Sequence, residues 1–281
     1  MEGFLYINKP AGMTSFDVIQ ALRKATGEKR IGHSGTLDPQ ATGVLIVALG
    51  KSTKVLPYLL KKDKTYKATM QLGIKTSTGD IWGDIKEQEP IKTYPLQQII
   101  SVLESFLGVQ TQIPPMVSAI RHQGKRLYEY ARENVEIERK PRPIEIKEIK
   151  LLDYNSPDIC FEVTCSAGTY IRTLCEDVAA KLDTIAAMSA LIRTQSGEVS
   201  LSACDSLEDA LLNKATLHSC EQVLSAYPSV KSDQVTDIKN GKSLSLSTMD
   251  ELVFLRDTQG EYLAAYRRQS DGSYKCERGL W

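Results

Sequence analysis

The polarity pattern divides the chain into recognisable elements. Phe4 to Asn8 is short and largely apolar and reads as a strand. After the break at Pro10-Ala-Gly, Thr14 and Asp17 form a helix-opening pair, and Phe16, Val18, Ile19 and Leu22 recur at helical spacing until Gly27. Val44 to Leu49 is continuously apolar, as in a strand buried on both faces. Tyr66, Ala68, Met70 and Leu72 alternate with Lys67, Thr69 and Gln71, which predicts a half-buried strand with the Tyr66 ring turned inward. Helices are expected from Ser52 to Leu60 and from Pro95 to Leu107. In the second, Leu96, Ile99, Ile100, Leu103 and Phe106 make the stripe and Gly108 the stop.

Further on, IPPMVSAIRHQGKRLYEYAR reads as strand, turn and helix. The segment VEIERKPRPIEIKEIKLLDY alternates apolar and charged residues, so its strands should face solvent on one side. Ile159 to Cys165 predicts another strand. Thr169 to Leu182 predicts a helix with Ile171, Leu174, Cys175, Val178 and Leu182 on one face. Strands and helices interleave without βαβ regularity, which implies an α/β (α+β) protein built on a mixed sheet rather than a doubly wound fold. The composition shifts near Ala226-Tyr227-Pro228. Beyond it SLSLS, ELVFLRD, YLAAYRR and SYKCERG predict a small β-barrel-like appendix. The expected domains are 1–222 and 223–281.

Composition narrows the class. The 281 residues are 42% hydrophobic and 25% charged, as in globular proteins, and no apolar run nears the ~20 residues that cross a bilayer. The start lacks the layout of a secretory signal, so a cytoplasmic location is expected. The six cysteines form no CxxC pair and read as reduced thiols. The three histidines lie too far apart in sequence to suggest a zinc site, so no metal is expected. Lysines and arginines balance aspartates and glutamates at 35 each, which argues against a histone-like polyanion coat. The charge is uneven, however. Residues 1–67 hold eleven basic against five acidic side chains, and residues 200–261 hold five against ten. A basic face on a neutral chain is the footprint of a polyanion partner, although a solvated surface gives the same count.

Several segments carry candidate chemistry. In Gly32-His33-Ser34-Gly35-Thr36-Leu37-Asp38-Pro39 the glycines admit a close approach, and His33 and Asp38 are candidate acid, base or nucleophile groups. Pro39 stiffens Asp38; the same carboxylate could simply cap an Asp-Pro turn. Gly50-Lys51-Ser52 imitates the end of a phosphate-binding loop. Leu45 stands where the first glycine belongs, and a continuous strand cannot wrap a triphosphate, which excludes an NTPase. Lys61, Lys62, Lys64 and Lys67 surround Tyr58 and Tyr66, as in a nucleic-acid groove or as at a lysine-rich helix end. Arg121, Arg126 and their basic neighbours form a second stretch, diluted by glutamates. Cys165-Ser-Ala-Gly-Thr-Tyr-Ile-Arg172 closes a strand and opens a helix. Tyr170 and Arg172 could serve a pocket there, or Thr169 could merely cap the helix.

Together these segments resemble the bacterial tRNA pseudouridine-55 synthases. The resemblance rests on INKPAGMTSFDV, GHSGTLDPQATGVLIVALGKSTK, KTYKATMQLGIKTSTGD, IPPMVSAIRHQGKRLYEYAR, CSAGTYIRTLCEDVAAKL and ALIRTQSG, in order over roughly residues 3–200. The C-terminal part resembles, more loosely, the PUA domain that follows the catalytic domain in that family. The resemblance implies a uridine-to-pseudouridine isomerase acting on the T arm of tRNA, with base flipping and without a cofactor. It implies that Asp38 is catalytic and that Tyr66 stacks on the target uracil. His33 would hold the extruded nucleotide. Tyr170, Arg172 and Leu191 would line the uridine site, Arg172 as the ion-pair partner of Asp38. Lys61, Lys62, Lys64, Arg121 and Arg126 would contact the RNA backbone, the arginines from a mobile loop that closes over it. A monomer needing no protein partner is expected. The alternatives are a non-catalytic RNA-binding or RNA-folding module of the same architecture, and the same chemistry on another RNA. The chain departs from the family's DLGxKLG at Asp177-Val-Ala-Ala-Lys-Leu-Asp183, and has Met188 where a histidine is common.

Overall fold

A computed structural model describes residues 1–133 and 135–281. Its largest element is a mixed sheet. The strand order along its main path is Asp205–Ser206, Gly3–Lys9, Thr42–Leu49, Ala186–Ser196, Lys64–Leu72, Asp158–Cys165, Arg142–Asn155 and Gly108–Gln112. Ile31–His33 pairs with Thr42–Leu49 beside this path. Thr42–Leu49 runs antiparallel to Gly3–Lys9 but parallel to Ala186–Ser196, with Ile192 opposite Thr42 and Arg193 opposite Gly43. That junction needs a glycine. Gly43 has φ +106°, and a Cβ there would lie 2.2 Å from the Arg193 carbonyl oxygen.

The continuous apolar run is explained by burial on two sides. Leu45, Val47 and Leu49 pack with Val18, Ile19 and Leu22 of the helix Ser15–Thr26. Val44, Ile46 and Ala48 pack on the opposite face with Tyr58, Leu59, Leu224, Phe254 and Leu280. The helix begins on a reciprocal cap: the Thr14 hydroxyl accepts from the Asp17 N–H at 3.0 Å, and Asp17 accepts from the Thr14 N–H at 2.8 Å. Gly27 ends it in a left-handed conformation. Phe16, expected on the buried stripe, instead lies outside it beneath the Arg23 guanidinium.

A third apolar cluster joins the alternating face of Lys64–Leu72 to the helices Leu96–Glu104 and Ile171–Lys181. Every residue expected on the inner face of the second helix is buried. Asp183, at the last position of the DLGxKLG pattern that the resemblance brings in, adopts φ +56° just past this helix, a conformation aspartate tolerates better than most residues.

Some expectations change. Ser52–Leu60 is not one helix but a 3-10 turn, Gly50–Val55, followed by an α-turn, Leu56–Leu60. Pro57 has no N–H to continue an upstream α-ladder. Leu96 is exposed at the start of its helix, which ends at Glu104. No strand forms over 113–120, where Pro114 and Pro115 lack ladder donors. The nearby edge strand, Gly108–Gln112, is largely polar and is exposed except at Gln110 and the buried Gln112, and so carried no apolar alternation to read. SLSLS contributes only a single bridge, Leu244 to Tyr274. The C-terminal unit is a four-stranded sheet, Ser229–Lys231, Leu252–Arg256, Tyr262–Arg268 and Tyr274–Gly279, over its own core of Ile238, Val253, Leu255, Leu263 and Tyr266. No helix among the described residues is long and apolar enough to cross a membrane.

Candidate active site

The loop carrying Asp38 leaves the sheet after Ile31–His33 and returns at Thr42. It is pinned from several directions. The Ser34 N–H donates to the Ile46 carbonyl at 2.9 Å, and the Leu37 N–H to the Ser15 hydroxyl at 2.9 Å. Lys9 is fully buried, and its ammonium donates to the carbonyls of Pro10 at 2.8 Å and Pro39 at 3.0 Å, with a further bond to Met13. The first-strand lysine therefore ties the chain start to the residue after Asp38.

The Asp38 turn is closed by its backbone carbonyl, which accepts from the Ala41 N–H at 3.1 Å. Its carboxylate turns elsewhere and meets Arg172, with Nε at 3.0 Å from Oδ2 and Nη2 at 3.1 Å from Oδ1. Such a two-pronged contact fixes orientation as well as charge. Arg172 is only 4% exposed, whereas the Asp38 side chain keeps 31% of its surface open. The guanidinium is completed by the carbonyls of Thr78 and Val117, both at 2.8 Å. Burial pushes the Asp38 carboxyl above the usual carboxylate range. Arg172 pulls against that shift and the nearby Asp80 carboxylate reinforces it.

Tyr66 lies in the sheet opposite Arg193 on one neighbour and Val163 on the other. It is buried in the same apolar cluster as Leu37 and Leu191. Burial raises its phenol, and the Arg193 charge lowers it in opposition. Leu191 belongs to the same cluster and pairs with Ala68, two residues along the strand from Tyr66. His33 is partly buried, and its Nδ1 accepts from the Gly35 N–H at 3.3 Å. Burial, aided by Arg193, lowers its pKa and favours the neutral ring.

Tyr170 sits at the helix start with no side-chain cap; the Thr169 hydroxyl donates to the Ser166 carbonyl instead of capping. Arg121 and Arg126 face each other on a two-residue hairpin and are exposed. The Arg126 charge also acts, as the smallest contribution, to lower the His33 pKa. The lysine cluster divides. Lys61 is exposed, and Lys62 lies 4.5 Å from the Tyr227 ring centre. Lys64 is buried and donates to the Leu60 carbonyl at 2.7 Å and to that of Lys62. The expectation that Lys64 contacts an RNA backbone is therefore corrected: its ammonium braces the turn before its own strand.

Sequence reasoning missed Lys9, Asp80, Gln112 and Arg193. Arg193 is 1% exposed and donates to the carbonyls of Val44 at 2.7 Å and Gly35 at 3.1 Å, with no carboxylate partner among the described residues. A signal existed: Arg193 follows Leu191 by two residues, so the strand period puts both on one face. No group of three or more histidines, cysteines or acidic residues that could hold a metal occurs among the described residues.

The chain is similar to known proteins in sequence and in fold. Residues 23–171 match the N-terminal domain of the TruB family of pseudouridylate synthases. The tRNA pseudouridine synthase B of Syntrophomonas wolfei is 44% identical over 262 residues, covering 87% of this chain and 85% of the relative. That of Dehalococcoides mccartyi is 38% identical, covering 98% of this chain and 95% of the relative. That of Bacillus cytotoxicus is 41% identical, covering 95% and 92%. A chain in the structure of an H/ACA RNP bound to a substrate RNA containing 2′-deoxyuridine superposes with a TM-score of 0.75 at 24% identity, covering 99% of this chain and 85% of that one. At that identity the likeness establishes the fold alone. The family match spans just over half of the chain and the curated relatives nearly all of it, so this chain belongs to the TruB family of pseudouridylate synthases.

Proposed function

We propose that the protein isomerises the T-loop uridine at position 55 of tRNA to pseudouridine, with Asp38 as the catalytic carboxylate. The observation that carries this reading is the two-pronged Asp38–Arg172 pair, open on the carboxylate side and bordered by the cluster that holds Tyr66 and Leu191. The named relatives supply the RNA class.

The reaction breaks the bond from uracil N1 to ribose C1′, turns the base, and joins C5 to C1′. The C5 proton is lost and N1 gains one, so atoms and electrons balance without a co-reactant. Asp38 either attacks C1′ or removes the C2′ proton; both require an ionised carboxylate. Arg172 favours that ionised form. A base stacked in folded RNA must first be extruded, at a cost of a few kcal/mol, and stacking on Tyr66 offsets about 1–3 kcal/mol of it. His33 accompanies the extruded nucleotide. Tyr170 and Leu191 complete the uridine wall. Lys61, Arg121 and Arg126 are exposed cations suited to phosphates. Residues 1–222 act as the catalytic domain and 223–281 as a PUA-like RNA-binding domain. The enzyme works as a monomer and in the cytoplasm, the compartment being in keeping with a tRNA substrate.

The test is incubation with an unmodified tRNA transcript, followed by chemical derivatisation of pseudouridine and mapping by primer extension. Modification at the T-loop uridine is expected. Binding without any pseudouridine would favour the non-catalytic RNA-folding reading. Modification at a different RNA site would replace the substrate assignment.

A further inference from the structure

Gln112 ends the edge strand Gly108–Gln112, opposite Arg142, and is 4% exposed. Its side chain reaches across to the helix start at Tyr170. The Tyr170 N–H donates to Gln112 Oε1 at 2.8 Å, and Gln112 Nε2 donates to the Tyr170 carbonyl at 3.0 Å. A primary amide offers one acceptor and one donor side by side, which matches both polar groups of a single residue. The Tyr170 N–H takes this partner, and the carbonyl gains a second donor. Tyr170 is extended, it starts the helix Ile171–Lys181 without a side-chain cap, and its carbonyl already takes the first helical bond from the Leu174 N–H at 3.1 Å.

Arg172 is two residues into the chain from this clamp. The same edge segment also contacts Arg172 directly, through the Val117 carbonyl. Between Gln112 and Val117 lie Pro114 and Pro115, which restrict the segment. One stretch of chain therefore fixes the helix start and receives the guanidinium that orients Asp38.

We propose that Gln112 is a positioning residue for catalysis: by holding both backbone groups of Tyr170 it sets the phase of the first helical turn and hence the contact of Arg172 with Asp38. It touches neither reacting atom. The inference rests on the functional reading above. A small displacement suffices, since a misplacement of about 1 Å can cost ~100-fold in rate.

Two variants test it. Gln112→Met keeps the length and removes both bonds. Gln112→Glu keeps an acceptor for the Tyr170 N–H and sets a carboxylate oxygen against the Tyr170 carbonyl, and it serves if the Met variant does not fold. Single-turnover rate, KM on a tRNA transcript, the acid limb of the pH–rate profile and Tm are measured beside wild type. Expected for each variant that folds is a kcat loss of about 10–100-fold with KM changed less than about threefold. The acid limb is expected to move to higher pH, because a looser Arg172 no longer opposes the burial of Asp38. Unchanged kcat and acid limb overturn the proposal, even with a lowered Tm, since that is what a purely structural role gives. A wild-type enzyme that forms no pseudouridine overturns the functional reading itself and this inference with it.

Discussion

Arg172 reaches Asp38 across 134 positions of sequence and grips both carboxylate oxygens. The aspartate stands on a loop between strands and the arginine on a helix, so the contact exists only when the sheet has placed both. Asp38→Asn keeps the size of the side chain and removes its charge. It is expected to bind tRNA within a few-fold of wild type and to lose turnover by several orders of magnitude. Binding is read by filter retention and turnover by pseudouridine mapping. Near-normal turnover would remove Asp38 from the mechanism.

The pH dependence follows from the direction of the Asp38 shift. Its carboxyl is raised by burial and by Asp80, against the pull of Arg172. The active, ionised form is complete above the raised pKa and is lost as pH falls through it, so the acid limb should lie above the ordinary carboxylate value of about 3.9. Asp80→Asn removes a like charge and should move that limb to lower pH. A single-turnover pH series in both enzymes decides; a shift in the opposite direction contradicts the electrostatic assignment.

Tyr66 combines burial with a place beside Leu191 and the Asp38 loop. Tyr66→Phe retains the ring face and removes the hydroxyl. It should bind RNA almost as well as wild type but turn over more slowly if the hydroxyl helps accept the C5 proton. Tyr66→Ala should also weaken capture of the extruded base, by an amount near the ~1–3 kcal/mol of one stacking contact. Fluorescence of a 2-aminopurine next to the target uridine reports the capture. An alanine variant indistinguishable from wild type refutes the pocket role.

Lys9 shows what sequence reading left unread. The fold was legible where a period or a punctuation mark stood in the chain: Thr14 with Asp17, Gly27, the alternation around Tyr66, the stripe after Tyr170. Asp38 stood out as a candidate because Gly35 and Pro39 frame it, but its proposed catalytic role and its pairing with Arg172 came from resemblance rather than spacing. Lys9, Gln112 and Arg193 were not. Each is a polar side chain whose partners are backbone carbonyls or amides of distant segments, and no local pattern announces such partners. The edge strand holding Gln112 was hidden because it is polar and has little apolar face.

That reading of Lys9 can be checked. Lys9→Met preserves length while removing an ammonium bonded to three carbonyls. Unsatisfied buried acceptors cost ~1–3 kcal/mol each, partly relieved by repacking. The variant should lose about 2–4 kcal/mol of stability in urea unfolding and show a reduced turnover on the residual folded fraction. Full stability and activity would mean that the Asp38 loop holds without the tie.

The lysine cluster separates the structural account from the sequence expectation most directly. Binding driven by phosphate contacts falls linearly in log affinity with log salt concentration, and each lost contact lowers the slope by about 0.7–0.9. Lys61 is exposed and Lys64 is buried against carbonyls. Lys61→Ala should therefore flatten the slope by about one contact, and Arg126→Ala should do the same from the hairpin. Lys64→Met should leave the slope unchanged and lower Tm instead, because its ammonium holds the turn between Leu60 and the following strand. Titrations from low to high salt with a tRNA transcript measure all three. A flattened slope in Lys64→Met, with Lys61→Ala unaltered, would place the phosphates on the buried residue and reverse the assignment.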